Sequence, residues 1–340
     1  MISKAESIKR KIVADIGNGR LGAGLPIPSR HQYMQQFSCA RGTIDAAIND
    51  LKNSGYLYSV RGGGTYVAAS LPEKRIRKIC IIDNSDMSDI IESGLRTSSL
   101  AGECRSTMPT EIYKVSDVYT KIGELARPGN GLVWVRPSYD FFLAMNYVAD
   151  MGIPQLLLAR TFGNFDFITT DAKKGISKGI AELRKHSDKI AFVSERNNPE
   201  LPYIAERQIA FYQVCVEQKL NLHQEWIFDF DRTSFTSEIS RIGQQLFCAE
   251  KTPEAIFLTN SSMAIPLLTY AEAHGKTPGD NLTILIFDKE NNLIGRKGII
   301  MLRQMWKQMA FLVEEWVKQK NLDIAKHFHI KIEPELIKLT

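Results

Sequence analysis

The chain has 340 residues, 44% of them hydrophobic, and a formal net charge of +5. That is enough apolar material for two or three compact cores and argues against a disordered chain. Its five cysteines (Cys39, Cys80, Cys104, Cys215, Cys248) are odd in number, far apart and never spaced CxxC, which argues against a disulfide framework or a zinc knuckle and fits a reducing cytosol. The N-terminus, MISKAESIKRKIV, shows no charged-then-apolar leader, and the longest uncharged run, Ala255 to Ala271, is interrupted by Asn260, Ser261, Ser262 and Pro266. Neither export nor a membrane span is expected, and a cytoplasmic location is.

The modest total charge hides an asymmetry. The first 78 residues hold 13 Lys/Arg against 5 Asp/Glu, a net +8, which leaves −3 for the remainder. A basic head on a slightly acidic body is the layout expected of a polyanion-binding module attached to a solvated domain.

In chain order, Ile8, Ile12, Val13 and Ile16 fall at helical spacing, so a first helix is predicted from about Lys4 to Ile16, stopped by Gly17, Gly19 and Gly22. Ser29 followed three residues later by Gln32 is a capping-box signature for a second helix through about Phe37. After a turn at Ser38-Cys39-Ala40, a third helix places Ile44, Ala47, Ile48 and Leu51 on one apolar stripe and leaves Arg41, Thr43, Asp45 and Asn49 off it. Tyr56 to Arg61, then Gly62, Gly63 and Gly64, then Thr65 to Val67 predict two short strands around a tight loop. Helix, helix-turn-helix and basic hairpin make a winged helix, whose third helix enters the major groove while the wing reaches adjacent backbone or minor groove. Gly17 to Gly22 also matches GxGxxG, but it follows a helix and lacks the strand a dinucleotide site requires.

These residues resemble the GntR-type winged helix across about Ile8 to Val67. The matching pieces are Gly24 with Ile27-Pro28-Ser29, Arg41-Gly42-Thr43-Ile44, Leu51 with Gly55-Tyr56-Leu57, and the wing from Gly62 to Val67. The resemblance implies DNA contact from Ser29, Arg30 and His31, from Arg41, Thr43 and Asp45, and from Arg61, Gly62, Gly63, Gly64 and Thr65. Two positions depart from the pattern. Arg30 stands in a slot that is usually acidic, with His31 where an arginine is usual, and Asp45 stands where a second arginine is usual. An acid at 45 can accept a hydrogen bond from cytosine N4.

Residues 71–77 form a polar linker, after which apolar runs alternate with helical patterns. Strands are predicted at Lys78–Asp83, Glu111–Val115, Gly131–Val135, Gln155–Ala159, Phe167–Thr170, Lys189–Ser194, Glu225–Phe230, Ala255–Thr259 and Leu282–Phe287. The alternation predicts an α/β architecture with parallel sheets, and so many strands predict two lobes. The expected layout is therefore an α+β winged helix over residues 1–70, a linker over 71–77 and a two-lobed α/β domain over 78–340.

Ligands of open α/β sheets bind beyond the carboxyl ends of the strands, and taking the first polar residue there selects Arg136, Arg160, Asp171, Asn260 and Asp288. The second domain resembles the LacI-type effector domain, which has the fold of periplasmic sugar-binding proteins. The resemblance rests on Gly131-Leu132-Val133, Ile153-Pro154, Lys189 to Val193, Arg207 with Phe211, Ala255 to Asn260 with Met263-Ala264, and Ile286-Phe287-Asp288. It implies effector contacts from Asp171, Arg207, Asn260 and Asp288, converging between two lobes, although Ser261 replaces an acid common in that family. No Walker A loop, HExxH or GxSxG is present, so no enzyme activity and no cofactor are expected. His327 and His329 form one HxH in a C-terminal stretch that reads as a strand, and no metal is expected there. The two resemblances together imply a homodimeric transcription regulator, a repressor of a double-stranded DNA operator, controlled by a small-molecule effector such as a sugar. The alternatives are a second domain that only dimerises or binds a partner protein, or an aminotransferase-like chimera.

Overall fold

A computed structural model describes residues 3–71, 75–84, 100–102, 104, 108–198 and 201–338. Part of the expected linker, residues 72–74, lies outside the described residues. The chain forms two compact units, Met1–Ile168 with Lys307–His329, and Thr169–Trp306 with Ile330–Thr340. The boundary is thus crossed three times.

The first unit opens with α1 (Lys4–Gly17), α2 (Arg30–Phe37), α3 (Arg41–Asn53) and the hairpin β1 (Leu57–Val60) and β2 (Gly64–Val67). The predicted stripes are the buried ones: Ile8, Ile12, Val13 and Ile16 on α1, and Ile44, Ala47, Ile48 and Leu51 on α3. Burying a side chain such as Ile44 contributes about 1.5–3 kcal/mol, so these stripes fix how the helices pack. Ser29 and Gln32 close the expected capping box at the start of α2. Gly62 and Gly64 have φ of 74° and 107°, which the tight turn between β1 and β2 requires and which other residues adopt only with strain. The loop before α2 adds to the hairpin, with the Ile27 amide donating to the Thr65 carbonyl at 2.9 Å.

Then follow β3 (Lys78–Asp83), β4 (Thr110–Lys114), α4 (Ile122–Leu125), β5 (Asn130–Val135), α5 (Phe142–Asp150), β6 (Gln155–Leu158) and β7 (Asp166–Thr170). The remaining elements are α6 (Ala172–Leu183), β8 (Ile190–Glu195), α7 (Tyr203–Glu217), β9 (Ile227–Phe230), α8 (Phe235–Phe247), β10 (Ala255–Leu258), α9 (Ala264–Ala273), β11 (Thr283–Phe287), β12 (Ile299–Arg303), α10 (Trp306–Leu322), β13 (His329–Ile332) and β14 (Glu335–Lys338).

The strands build two six-stranded sheets, ordered β13-β7-β6-β5-β3-β4 and β14-β12-β11-β10-β8-β9. From β4 to β7 and from β9 to β12 the pairings are parallel, and β14 runs antiparallel to β12. Every residue of β5, β6, β8, β10 and β11 is buried, as parallel strands covered by helices on both faces require. The α/β expectation is met. Three strands were missed or only hinted at: β12, β13 and β14. The run Glu225–Phe230 begins later than expected because Gln224–Trp226 coils into a 3₁₀ turn. Among the described residues, no helix is long and apolar enough to cross a membrane.

Candidate functional site

The N-terminal end of α3 is where the winged helix gathers its charged side chains. Arg41 begins α3 with its side chain 73% exposed, and its N-cap, Ala40, offers no side-chain acceptor, so the first turn of the helix has no side-chain cap and the Thr43 amide turns back to the Ala40 carbonyl at 3.0 Å. His31 on α2 and Arg61 with Gly62, Gly63 and Gly64 on the wing are exposed, and Thr43 is half-buried. Ser29 is exposed but spends its hydroxyl on the capping box.

Three predicted contacts behave differently from expectation. Arg30 does not stand free to meet phosphate: its Nε donates to Asp45 Oδ1 at 3.2 Å and its Nη1 to Thr65 Oγ1 at 2.8 Å. Thr65 is only 4% exposed and faces inward, where Ser59 Oγ also lies 3.2 Å away. Asp45 holds Arg30 on one oxygen and has Arg41 Nε at 3.6 Å from the other. The acid therefore faces two arginines, whose charge favours its ionised form among the basic side chains of this face. Cys39, in the turn before α3, is half-buried.

The second constellation lies beyond the carboxyl ends of the strands of the second unit. Arg207, on α7 and 6% exposed, donates to Asp288 Oδ2 at 2.8 Å and to the Thr259 carbonyl at 2.6 Å. Its guanidinium lies 3.8 Å from the Phe287 ring centroid and 4.7 Å from that of Tyr203, a stacked setting that holds the planar group in one orientation. Asp288 also accepts from Gln304 Nε2 at 2.5 Å, and Gln304 in turn accepts from Thr170 Oγ1 at 3.0 Å. Asn260 donates to Glu195 Oε2 at 3.2 Å and accepts from the Ser262 amide at 3.1 Å.

Arg207, Asn260 and Asp288 are thus brought to one edge, the last two at the ends of β10 and β11. Asp171 is not joined to them directly: it caps α6, accepting from the Lys174 amide at 3.0 Å. The sequence missed Glu195, 2% exposed at the end of β8, although the rule of the first polar residues after a strand reaches it. Arg232 Nε lies 3.6 Å from its carboxylate. Gln304 was missed because β12 was.

In the first unit Arg136 and Arg160 stand after β5 and β6 as expected. Arg160 is 8% exposed and donates to the Ala159 carbonyl at 2.6 Å, and the Arg136 carbonyl accepts from Asn84 Nδ2 at 3.0 Å. Arg136, Ala159 and Asp288 have φ of 51°, 57° and 79°, so three strand ends carry left-handed non-glycine residues. Such strain persists where the surroundings over-determine it, and it clusters at ligand edges.

His327, His329 and Asp166 present donor atoms within 4.8 Å of one another. The Asp166 charge is already engaged, by Lys320 Nζ at 2.7 Å, Trp316 Nε1 at 2.8 Å and the Phe328 amide at 2.9 Å. This is a buried ion pair that ties α10 to β7, beside a cavity of about 270 Å³ at the amino ends of β6 and β7, away from the carboxyl edge.

Comparison with known proteins finds matches to both parts of the chain. Residues 4–67 match the bacterial regulatory proteins of the gntR family, and residues 183–295 match the periplasmic binding protein-like domain. The HTH-type transcriptional repressor NagR of Bacillus subtilis (strain 168) is 28% identical over 120 residues, 33% of this chain and 49% of that protein. The arabinose metabolism transcriptional repressor of Geobacillus stearothermophilus is 29% identical over 75 residues, 22% of this chain and 21% of that protein. The chain therefore spans about half or less of the length of these curated relatives. A LacI-family regulatory protein from Chloroflexus aggregans superposes with a TM-score of 0.64 at 19% identity, covering 77% of this chain and 96% of that one. The lac repressor dimer bound to operator and the anti-inducer ONPF gives 0.63 at 12% identity, covering 78% and 93%. The regulator CelR in complex with cellobiose gives 0.62 at 12% identity, covering 92% and 99%. Residues 4–67 are thus similar to the gntR family of bacterial regulatory proteins, and the two-lobed domain that follows has the periplasmic binding protein-like fold.

Proposed function

We propose that the chain is a sequence-specific DNA-binding transcription regulator, a repressor, whose second domain (78–340) senses a small polyhydroxylated effector. The observation that carries this reading is the union, in one chain, of a gntR-type head with Arg41, His31 and Arg61 exposed and a binding-protein-like domain whose strand ends carry Arg207, Asp288 and Asn260. Carboxylate, guanidinium and amide groups at such an edge match sugar hydroxyls as acceptors and donors. NagR and the arabinose repressor support the repressor role by their names, and CelR with cellobiose supports a sugar as ligand class.

In this reading the protein acts in the cytoplasm as a homodimer on a nearly palindromic operator, because one winged helix spans too few base pairs to specify one site. Arg41 and Thr43 contact bases, and His31, Arg61 and the wing glycines follow the backbone. Effector binding shifts DNA affinity only if the two states of the protein bind DNA differently. Selection of duplexes from a random library tests the first half, and a thermal-shift screen against monosaccharides tests the second, since a specific ligand stabilises the native state by mass action. No enriched sequence would remove the regulator reading.

A second reading is favoured by one observation. The amide of Asn260 and the guanidinium of Arg207 already have protein partners in Glu195, Ser262, Asp288 and the Thr259 carbonyl. A domain that only dimerises or binds a partner protein would keep such a network for stability, and a flat monosaccharide screen together with an intact dimer would select it. The periplasmic binding protein-like fold of the second domain speaks against the aminotransferase-like chimera.

A further inference from the structure

Lys9 lies on the inner face of α1 and is only 4% exposed. A buried ammonium is costly unless it is paired, and Lys9 has two carboxylates: Glu6 at 2.7 Å on its own helix and Asp50 at 2.5 Å on α3. One cation between two anions leaves a net negative charge, and Glu6 disperses part of it by accepting a hydrogen bond from the Tyr147 hydroxyl on α5. Tyr147 is fully buried, and burial followed by the Glu6 contact pushes its phenol well above the ordinary range, so it remains a donor. Gly123 on α4 backs the same carboxylate, where an added Cβ would lie 2.7 Å from Glu6 Oε1 and 3.4 Å from Lys9 Nζ.

The polar chain sits inside a wider seam. Arg10 pairs with Asp150, and the Tyr56 hydroxyl donates to the Met151 carbonyl at 3.2 Å. One continuous apolar cluster runs from Ile8, Ile12 and Ile48 of the winged helix to Tyr147, Val148 and Leu157. Where the chain leaves the linker, Asn321 on α10 holds both backbone groups of Ile76, accepting from its amide at 2.7 Å and donating to its carbonyl at 3.2 Å.

We propose that the Glu6–Tyr147 contact is a latch by which the α/β portion of the first unit carries the winged helix as one rigid body. A shift of α5 then reaches α3 through Glu6, Lys9 and Asp50 rather than through residues 71–77. Only the consequence for DNA rests on the regulator reading; the latch itself does not.

The test follows the motion of the wing. Cys39 and Cys248 are replaced by Ser, and a dye is attached through Arg61→Cys, the other three cysteines being buried. The anisotropy decay of the full-length protein is expected to show only the correlation time of the whole molecule. In Glu6→Gln with Tyr147→Phe, and separately in Arg10→Ala with Asp150→Ala, whose side chains are about 40% exposed and dispensable for the core, a component several-fold faster should appear. A fast component already present in the parent protein, or none in Glu6→Gln with Tyr147→Phe while circular dichroism shows that variant folded, would overturn the latch, whatever the Arg10 and Asp150 variant does. On a duplex selected with the parent protein, the released variants should also tolerate added base pairs between half-sites at which the parent loses more than tenfold in affinity. If selection enriches no duplex while the dye reports a docked wing, the regulator reading falls and the latch stands.

Discussion

Arg30 and Asp45 form a cross-helix ion pair, Nε to Oδ1 at 3.2 Å, and Arg30 continues to the wing through Thr65 Oγ1 at 2.8 Å. α2, α3 and the hairpin are thereby fixed to one another by a single guanidinium. Both residues occupy positions where the GntR-type pattern has the opposite charge, and pairing explains why the two departures occur together. In this structure Asp45 holds Arg30 on one oxygen and lies near Arg41 with the other. Asp45→Asn should therefore lower affinity for a selected operator by about 1–3 kcal/mol while raising affinity for random duplex, because an acid has left the phosphate face. Titrations of both duplexes at matched salt check this, and a parallel rise for both would assign Asp45 no positioning role.

Arg41 and Arg61 should separate by kind. Arg41→Ala removes a side chain at the N-terminal end of α3 that is 73% exposed, with an expected cost of about 1–3 kcal/mol confined to the operator. Arg61→Ala removes a wing charge and should weaken all duplexes alike, reducing the slope of log affinity against log salt by about 1. Identical salt slopes for the two variants would merge their roles.

The winged helix was legible because every signal in it is local: a capping box, two four-residue stripes and a glycine turn. The α/β strands were most legible where four or more apolar residues stood together, as in Gly131–Val135, Ala255–Leu258 and Leu282–Phe287. β12 was not, since Ile299–Leu302 follows a turn rather than a helix and is defined by β11 and β14, neighbours that periodicity does not reveal. β14 lies at an edge after Pro334 with only half-buried Leu336 and Ile337. At the candidate site, Arg207 and Asp288 were found, but Glu195, though next after the run Lys189–Ser194, was not selected. Its 2% exposure and its bond from Asn260 exist only once β8 and β10 are adjacent.

Asp171 is a helix cap in this structure, and its replacement should behave as one. Asp171→Ala should destabilise the second unit by about 1 kcal/mol, visible as a lower denaturant midpoint at unchanged slope. Asp171→Asn or Asp171→Ser should restore most of that loss, because either side chain can accept from the Lys174 amide. Loss of a monosaccharide response in both capping variants would instead give Asp171 a ligand contact.

Thiol chemistry should divide the five cysteines. Burial pushes the Cys80 thiol from its ordinary 9.0 up to about 11 and the Cys215 thiol to about 12, and Cys104 is fully buried. At pH 8 a thiol reagent should titrate Cys39 and Cys248 quickly and the other three only after unfolding. Tyr33 is pushed from 10.0 to about 12, first by burial and then by Asp15. For Cys80, Cys215 and Tyr33 the folded state binds its proton more tightly than the unfolded state. Their contribution to stability is therefore full below about pH 9 and is lost as pH rises toward 11–12. Denaturant midpoints measured from pH 7 to 11 should stay level for these groups at first and then fall; a midpoint that rises above pH 9 would contradict the burial of all three.

Arg207 offers the sharpest test of the second unit, because its two partners make its removal costly. The side chain is 7% exposed and that of Asp288 22%, so Arg207→Ala takes the Arg207 cation away from a largely buried carboxylate. Loss of one partner of such a pair should destabilise by about 3 kcal/mol, and an absent ligand response in that variant would report instability as much as lost contact. Arg207→Lys is the informative change: it keeps the charge near Asp288 but not the planar fork that reaches Asp288 and the Thr259 carbonyl together, nor the stacking on Phe287. A sensor that uses the fork should keep most of its stability in Arg207→Lys, retain operator affinity and lose at least tenfold in affinity for whichever monosaccharide shifts the parent protein. If Arg207→Lys binds that sugar as the parent does, the guanidinium belongs to the scaffold, and the effector is held by other groups at the strand ends, Asn260 and Glu195 first among them.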